Sequence, residues 1–553
     1  MDREIMQKVV LIGVDGATPD LVDKWTNEGK LPNFQKLQEN GTWGKLKSTT
    51  PPFSAPAWTS IVTGCNPGKH GIYGFESTGT LEPHLINSRH RMVPAIWSFL
   101  TNIGMRSIVV NVPGTYPPEK INGTMITGLL TPSRDSNFTY PENIKGRLTA
   151  GDLGEYELEQ FWLEDFSRSR MKKHAPEKLL NHINKQMASR SQVGLNLMDE
   201  LDWDFTMIVF RGTDTAQHFL FDKKDLLLSC YQKVDGLIGE IINRTPDALF
   251  FIVSDHGFEE IKKVLYPDNL LYNTNFLTPS RDPYKSPVSQ FYSSLIYRVI
   301  NWFLRMLPAK FLRESKAIRK LLFSGSSKAK LIDFSTTKAF STADGRGIQI
   351  CREDKYENGI VAAADYERVC GEISTLLKGL KDPEDGKQIV ENVYRWNEVY
   401  SKDAKDPPDL VFDLKKGVTA SEWIRFPNKM RRTLKLRKRH IPYLFNRDLS
   451  GRSGDHAQYG VFFAYGKGIK PNYKVSSMSV EDVLPMIFTA MGISTPNSVD
   501  GRVHEDIFIK KPTVKKIDWA SYFSSKQTLA KGELEKIRKL HQSLDQRSTK
   551  RGK

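Results

Sequence analysis

Five short motifs place ionisable or nucleophilic side chains just after apolar runs or in turns. They are Val14-Asp15-Gly16, Ser54-Ala55-Pro56, Asp214-Thr-Ala-Gln-His218, Ser254-Asp255-His256-Gly257 and Gly454-Asp455-His456. Asp15, Asp214 and Asp255 offer carboxylates, His218, His256 and His456 offer imidazoles, and Ser54 offers a hydroxyl. A mixed oxygen and nitrogen donor set of this size suits two divalent ions, with zinc or manganese preferred over calcium or magnesium. Two adjacent ions polarise phosphoryl oxygens, activate a hydroxyl and stabilise a leaving oxygen, so the chemistry indicated is phosphoryl transfer. Asp214 and His218 are four residues apart, so on a helix they share a face and can share an ion. Ser54 stands where a loop enters a helix, with amide N–H groups free to receive an anion. Taken without the other motifs, Ser54 reads first as an ordinary cap, and Thr50, Thr59 and Ser60 are competing hydroxyls.

The elements that must hold these groups are strands. Lys8-Val-Val-Leu-Ile-Gly-Val14, Phe205-Thr-Met-Ile-Val-Phe210 and Leu249-Phe-Phe-Ile-Val253 are continuous apolar runs of strand length, each followed directly or within a few residues by a candidate ligand. Runs without alternation predict parallel strands buried on both faces. Open α/β sheets bind ligands beyond the carboxyl ends of such strands, where loops converge on a rigid base.

The ordered set Val-Asp-Gly, Ser-Ala-Pro-Ala-Trp-Thr-Ser-Ile-Val-Thr-Gly, Asn-Pro-Gly-Lys-His-Gly-Ile, Asp-Thr-Ala-Gln-His, Ser-Asp-His-Gly and Gly-Asp-His resembles the alkaline phosphatase superfamily in its type I phosphodiesterase/nucleotide pyrophosphatase branch, from about Val9 to Val503. The resemblance implies a three-layer α/β/α fold with a central, mostly parallel sheet and a helical cap insertion. It implies that Asp15, Asp255 and His256 bind one ion and that Asp214, His218 and His456 bind the other. Ser54 is then the nucleophile, adjoining both ions and forming a phosphoserine intermediate that water hydrolyses.

Two positions depart from that branch. Its members commonly carry Thr where this chain has Ser54, and an Asn that donates to a phosphate oxygen falls here on Phe75, a ring with no such donor. Asn111, in Val110-Asn-Val-Pro-Gly-Thr-Tyr, either supplies the missing donor to substrate or caps a turn. The activity expected is hydrolysis of phosphodiester or nucleotide pyrophosphate bonds. Its rivals are a phosphate monoesterase, a phosphomutase and, least favoured, a sulfatase. From another class comes a catalytically idle, metal-bearing protein that binds an anionic partner or membrane surface.

The 553 residues, 39% of them apolar, suffice for one large α/β domain with insertions. Residues 1–265 read as the first part of the core, with an insertion at about 131–199 that includes a helix from about Pro176 to Glu200. Residues 266–337 read as a helical cap, whose stripe from Phe291 to Leu307 is interleaved with Arg298 and Arg305. That pattern suits a helix packed on the core, with a substrate lid or membrane-surface contact as alternatives. Residues 338–512 read as the remainder of the core, with a basic insertion at about 421–450, and 513–553 as a basic tail. The net charge of +16 gathers at Lys429–His440 and Lys526–Lys553. Such clusters steer small anionic phosphate esters or touch a membrane surface, but without interleaved aromatics they predict no specific nucleic-acid recognition. Four scattered cysteines, Cys65, Cys230, Cys351 and Cys370, and a first core strand close to the N-terminus predict a cytoplasmic protein.

Overall fold

The computed structural model describes residues 7–80, 83–158, 175–279, 332–421, 444–445 and 452–519. Strands β1 (Val9–Val14), β2 (Thr42–Lys47), β3 (Ser107–Val112), β4 (Gly123–Thr127), β5 (Thr139–Tyr140), β6 (Phe205–Phe210) and β7 (Leu249–Val253) belong to one ten-stranded sheet. β1 lies between β6 and β7 and parallel to both, and β3 and β4 continue the parallel array beyond β6. On the other side the strand Tyr459–Tyr465 runs antiparallel between β7 and β2.

All six residues of β1 and of β6 are buried, as their unbroken apolar runs require. Alternate side chains serve two different cores. Val10, Ile12 and Val14 pack with helices α1 (Pro19–Asn27) and α2 (Pro32–Asn40) and with the helices Pro176–Glu200 and Lys224–Arg244. Val9 and Leu11 pack on the opposite face with α3 (Ser54–Thr63) and the helices Ile96–Asn102 and Val483–Ala490. The result is the three-layer α/β/α fold, and the helix Pro176–Glu200 spans the range its spacing predicts.

Residues 339–414, assigned to the core from sequence, form their own four-stranded sheet in the order Ala339–Ser341, Gly347–Ile350, Leu410–Leu414, Val390–Arg395, with every pairing antiparallel. The helix Tyr366–Lys378 closes a separate apolar core through Val369, Cys370, Ile373 and Leu377, and the helix Pro267–Asn273 joins it through Leu270 and Leu271. In Val390–Arg395 the register shifts between Val390 and Asn392, so Val390 and Val393 are both buried while Glu391 and Asn392 are exposed. The stripe from Phe291 to Leu307, the basic cluster Lys429–His440 and the tail from Lys526 lie outside the described residues.

Candidate active site

Three neighbouring strands deliver the first groups to one edge of the sheet. Asp15 follows β1, Asp255 and His256 follow β7, and Asp214 lies in the first turn of the helix Gly212–Leu220 that follows β6. Ser54 opens α3, and the residue before it, Phe53, makes no capping side-chain bond. His456 arrives from far along the chain on the strand Gly454–Ala457, which pairs antiparallel with β8 (Gly257–Glu260) so that His456 stands opposite Phe258. That pairing brings the His456 ring to 3.9 Å from the His256 ring, centroid to centroid, at a 32° tilt.

Asp214, His218 and His456 form one group of ligand atoms lying within 4.8 Å of one another. Asp214 Oδ1 is 3.5 Å from His218 Nε2 and 3.4 Å from His456 Nε2, and the two Nε2 atoms are 3.1 Å apart. His218 Nδ1 donates to the Gly454 carbonyl at 3.1 Å, which leaves its Nε2 lone pair facing the group.

A second group is Asp15, Asp214 and His256, with Asp15 Oδ1 3.7 Å from His256 Nε2. Asp214 is therefore common to both groups. Asp255, expected beside Asp15 and His256, anchors Oδ1 on the Gly16 amide at 3.1 Å and holds Oδ2 3.2 Å from His256 Nε2. His256 Nδ1 donates to the Gly257 carbonyl at 3.0 Å, so its Nε2 also presents a lone pair, toward which the Ser54 hydroxyl lies at 3.1 Å. Ser54 Oγ thus converges on the imidazole at the second group.

Whether cations fit here is decided by what the ligand atoms lack. Asp15 Oδ1, Asp214 Oδ1 and Asp255 Oδ2 are buried with no hydrogen-bond donor, although their partner oxygens are all bonded. Buried carboxylate oxygens without donors are costly unless a cation meets them. Burial, reinforced by mutual repulsion with Asp255 and Asp214, drives the Asp15 carboxyl well above the ordinary carboxylate range. Burial likewise raises Asp255 to about 7. Burial would raise Asp214 too, but His218, Arg211 and His456 outweigh it and hold this carboxyl well below its usual range. Burial lowers His218 to about 3 and His256 to about 4, keeping both imidazoles neutral and able to ligate. The donor set fits divalent metal ions.

Several supporting groups carry no signal strong enough to mark them in the sequence. Trp58, one turn after Ser54, donates its indole N–H to Asp15 Oδ2 at 3.0 Å. Arg211 donates to the same oxygen at 3.2 Å and to Asp214 Oδ2 at 2.6 Å. Arg346, from the smaller sheet, reaches Asp455 Oδ2 and the His456 carbonyl, each at 3.3 Å, and Thr419 also donates to Asp455. The smaller sheet therefore braces the strand that presents His456. Thr59 and Ser60, which spacing could not separate from Ser54, are spent elsewhere: Thr59 bonds the Ala55 carbonyl and Ser60 meets His70.

Asn111 lies in the left-handed region at φ 62°, and its amide donates to the Val209 carbonyl at 2.8 Å. The placement is that of a buried tie between β3 and β6, within a strand rather than at a turn. Phe75 packs against the small apolar cluster of Ala55, Ile72 and Ile86.

The profile of the type I phosphodiesterase / nucleotide pyrophosphatase family matches residues 9–423. His456 lies beyond that match and joins the site only through the fold. No curated protein matches the chain. Among solved structures, human ectonucleotide pyrophosphatase/phosphodiesterase 5 aligns at 12% identity and a TM-score of 0.49, covering 91% of this chain and 100% of the other. An inactive variant of the murine protein in complex with AMP aligns at 12% identity and a TM-score of 0.48, covering 92% and 100%. With three quarters of its length matched in sequence, this chain belongs to the type I phosphodiesterase/nucleotide pyrophosphatase family of metal-dependent phosphoric ester hydrolases.

Proposed function

We propose that the chain hydrolyses phosphodiester or nucleotide pyrophosphate bonds of small substrates with two divalent ions and a covalent intermediate on Ser54. The observation that carries this reading is that Ser54 Oγ lies 3.1 Å from His256 Nε2, in one of two ligand groups that share Asp214. Asp214, His218 and His456 would hold one ion, and Asp15, Asp255 and His256 the other, with zinc first and manganese second for this donor set. Bound there, the ions would lower the pKa of the Ser54 hydroxyl and polarise the phosphoryl oxygens.

The protein's own groups do the rest. Burial keeps the imidazoles neutral, and the uncapped start of α3 directs first-turn amides and the positive end of its dipole at the anion. Ser54 Oγ forms a bond to phosphorus while the bond to the leaving oxygen breaks, and that oxygen takes up a proton. Water then cleaves the Ser54–phosphoryl bond, restoring the hydroxyl and releasing the phosphate product.

A second reading, monoesterase or phosphomutase, is favoured by Phe75, whose ring occupies an apolar cluster where the diesterases present an amide. Paired aryl phosphate diester and monoester substrates, with zinc or manganese and Ser54→Ala as control, separate the two. Faster Ser54-dependent diester cleavage supports the first reading, and monoester preference supports the second. Silence on both substrates in ion-loaded protein would leave only an anion-binding role.

A reducing, cytoplasmic setting is also proposed, supported by four buried cysteines that are all unpaired. Among the described residues, no helix is long and apolar enough to cross a membrane. We assign the smaller sheet and its neighbouring helix Pro267–Asn273 to a cap over the site, supported by Arg346 and by Tyr400, whose hydroxyl donates to the Thr50 carbonyl at 3.0 Å.

A further inference from the structure

Arg211 is 5% exposed and lies between β6 and the helix that carries Asp214 and His218. Its Nε donates to Asp15 Oδ2 at 3.2 Å and its Nη2 to Asp214 Oδ2 at 2.6 Å. Each carboxylate is thereby divided. One oxygen is tied to the guanidinium, and the other, Oδ1, is buried without a donor. Those free oxygens are the ones that face the imidazoles, Asp15 Oδ1 toward His256 and Asp214 Oδ1 toward His218 and His456.

We propose that Arg211 is a positioning residue that couples the two metal half-sites, its planar fork fixing the orientation of one ligand carboxylate in each. The proposal rests on the two-ion reading above. A guanidinium holds its N–H groups in one rigid plane, so two carboxylates bonded to it keep a set spacing and tilt. The backbone reinforces the same spacing: Asp15 N donates to the Phe210 carbonyl at 3.0 Å, and Thr213 Oγ1 to the Asp15 carbonyl at 2.6 Å. Asp214 belongs to both ligand groups, so one tooth of the fork bears on every ion the site would take.

Charge and positioning predict opposite signs. A buried cation beside the ligands repels metal ions, so if charge were its only effect, removing it would tighten binding. If orientation dominates, removal weakens binding at both ions together, by roughly tenfold or more, the usual cost of losing an outer partner of a metal ligand. Lysine keeps the charge but not the fork.

The test is calorimetric titration of metal-free, full-length wild type, Arg211→Gln and Arg211→Lys with zinc alone, with circular dichroism melts in chelator to establish folding. The expected result is two ions per chain in wild type and a loss of about tenfold or more at both steps in either variant. Wild-type affinity in Arg211→Lys, or tighter binding in Arg211→Gln, overturns the assignment while leaving the two-ion reading intact. Fewer than two ions in wild type overturns that reading and this proposal with it. Should Arg211→Gln fail to fold, the lysine variant, which retains the buried charge, decides the question.

Discussion

Trp58→Phe isolates one hydrogen bond to a metal-ligand candidate. The indole is fully buried, and its N–H donates to Asp15 Oδ2 at 3.0 Å. Gly13 makes room for it, since a Cβ there would lie 2.4 Å from the Trp58 ring. Phenylalanine keeps an aromatic packed at the site and loses the donor, leaving a void of roughly 40 Å³, worth about 1 kcal/mol at ~24 cal/mol per Å³. The bond itself is worth about 1.5–3 kcal/mol when the acceptor is ionised and nearer 1 kcal/mol when it is neutral. Burial and its carboxylate neighbours hold Asp15 well above its ordinary pKa, so in metal-free protein its neutral form is favoured relative to an exposed carboxyl and the bond's worth moves toward the low figure. Cations would ionise it, and the high figure then applies. The loss expected in urea unfolding followed by circular dichroism is about 2 kcal/mol with chelator and about 2.5–4 kcal/mol with saturating zinc. The difference appears as roughly a tenfold fall in zinc affinity. An equal loss in both conditions would mean that Trp58 serves packing alone, and a loss below about 1 kcal/mol in both would refute the bond as a support for Asp15.

Metal binding should release protons below neutral pH and fewer above it. Asp255, raised to about 7 in the fold against an ordinary 3.8, keeps its proton at pH 6, which favours the metal-free fold at low pH and ceases to do so as pH rises through 7. His218 and His256, lowered to about 3 and 4, are already neutral and release none. Titrations at pH 6 in buffers of different ionisation enthalpy should therefore give different apparent heats, and matching heats would contradict the protonated carboxyl. Ion counts by elemental analysis should fall from two to one per chain in His456→Ala, whereas Asp214→Asn, altering the ligand common to both groups, should weaken both ions. Loss of a single ion in Asp214→Asn would argue against the shared carboxylate. Gly16→Ala should destabilise the protein by about 1–3 kcal/mol, because Gly16 sits at φ +73° and its Cβ would lie 2.6 Å from the Phe258 ring. A melting temperature equal to wild type would contradict that crowding.

Part of the site was legible because strand-end loops converge where ligands bind, although a single Asp directly after an apolar run is as often a helix or turn cap. Asp15 and the Asp255–His256 pair announce themselves that way, and the four-residue spacing of Asp214 and His218 places them on one helical face, as found. Arg211 escaped notice because an arginine after a strand is usually a surface residue, and only the facing carboxylates of two other segments make it a buried one. Trp58 is a buried core residue, and its polar handle has no sequence mark. Asn111 is ambiguous for a related reason: an asparagine in a presumed turn suits either a substrate donor or a turn cap, and its bond to the Val209 carbonyl from inside a strand has no mark in the sequence. The smaller sheet is not legible as a unit because three- to six-residue strands leave a weak period, and antiparallel pairing appears only when both partners are in hand.

The central claim, that Ser54 carries the phosphoryl group, is tested most directly by acid-quenching zinc-loaded protein during turnover of an aryl phosphodiester and mapping peptides by mass spectrometry. The account predicts a phosphoryl adduct on the peptide bearing Ser54, absent from Ser54→Ala protein, which binds both ions but does not turn over. Wild-type turnover by Ser54→Ala, with no adduct in either protein, would contradict it.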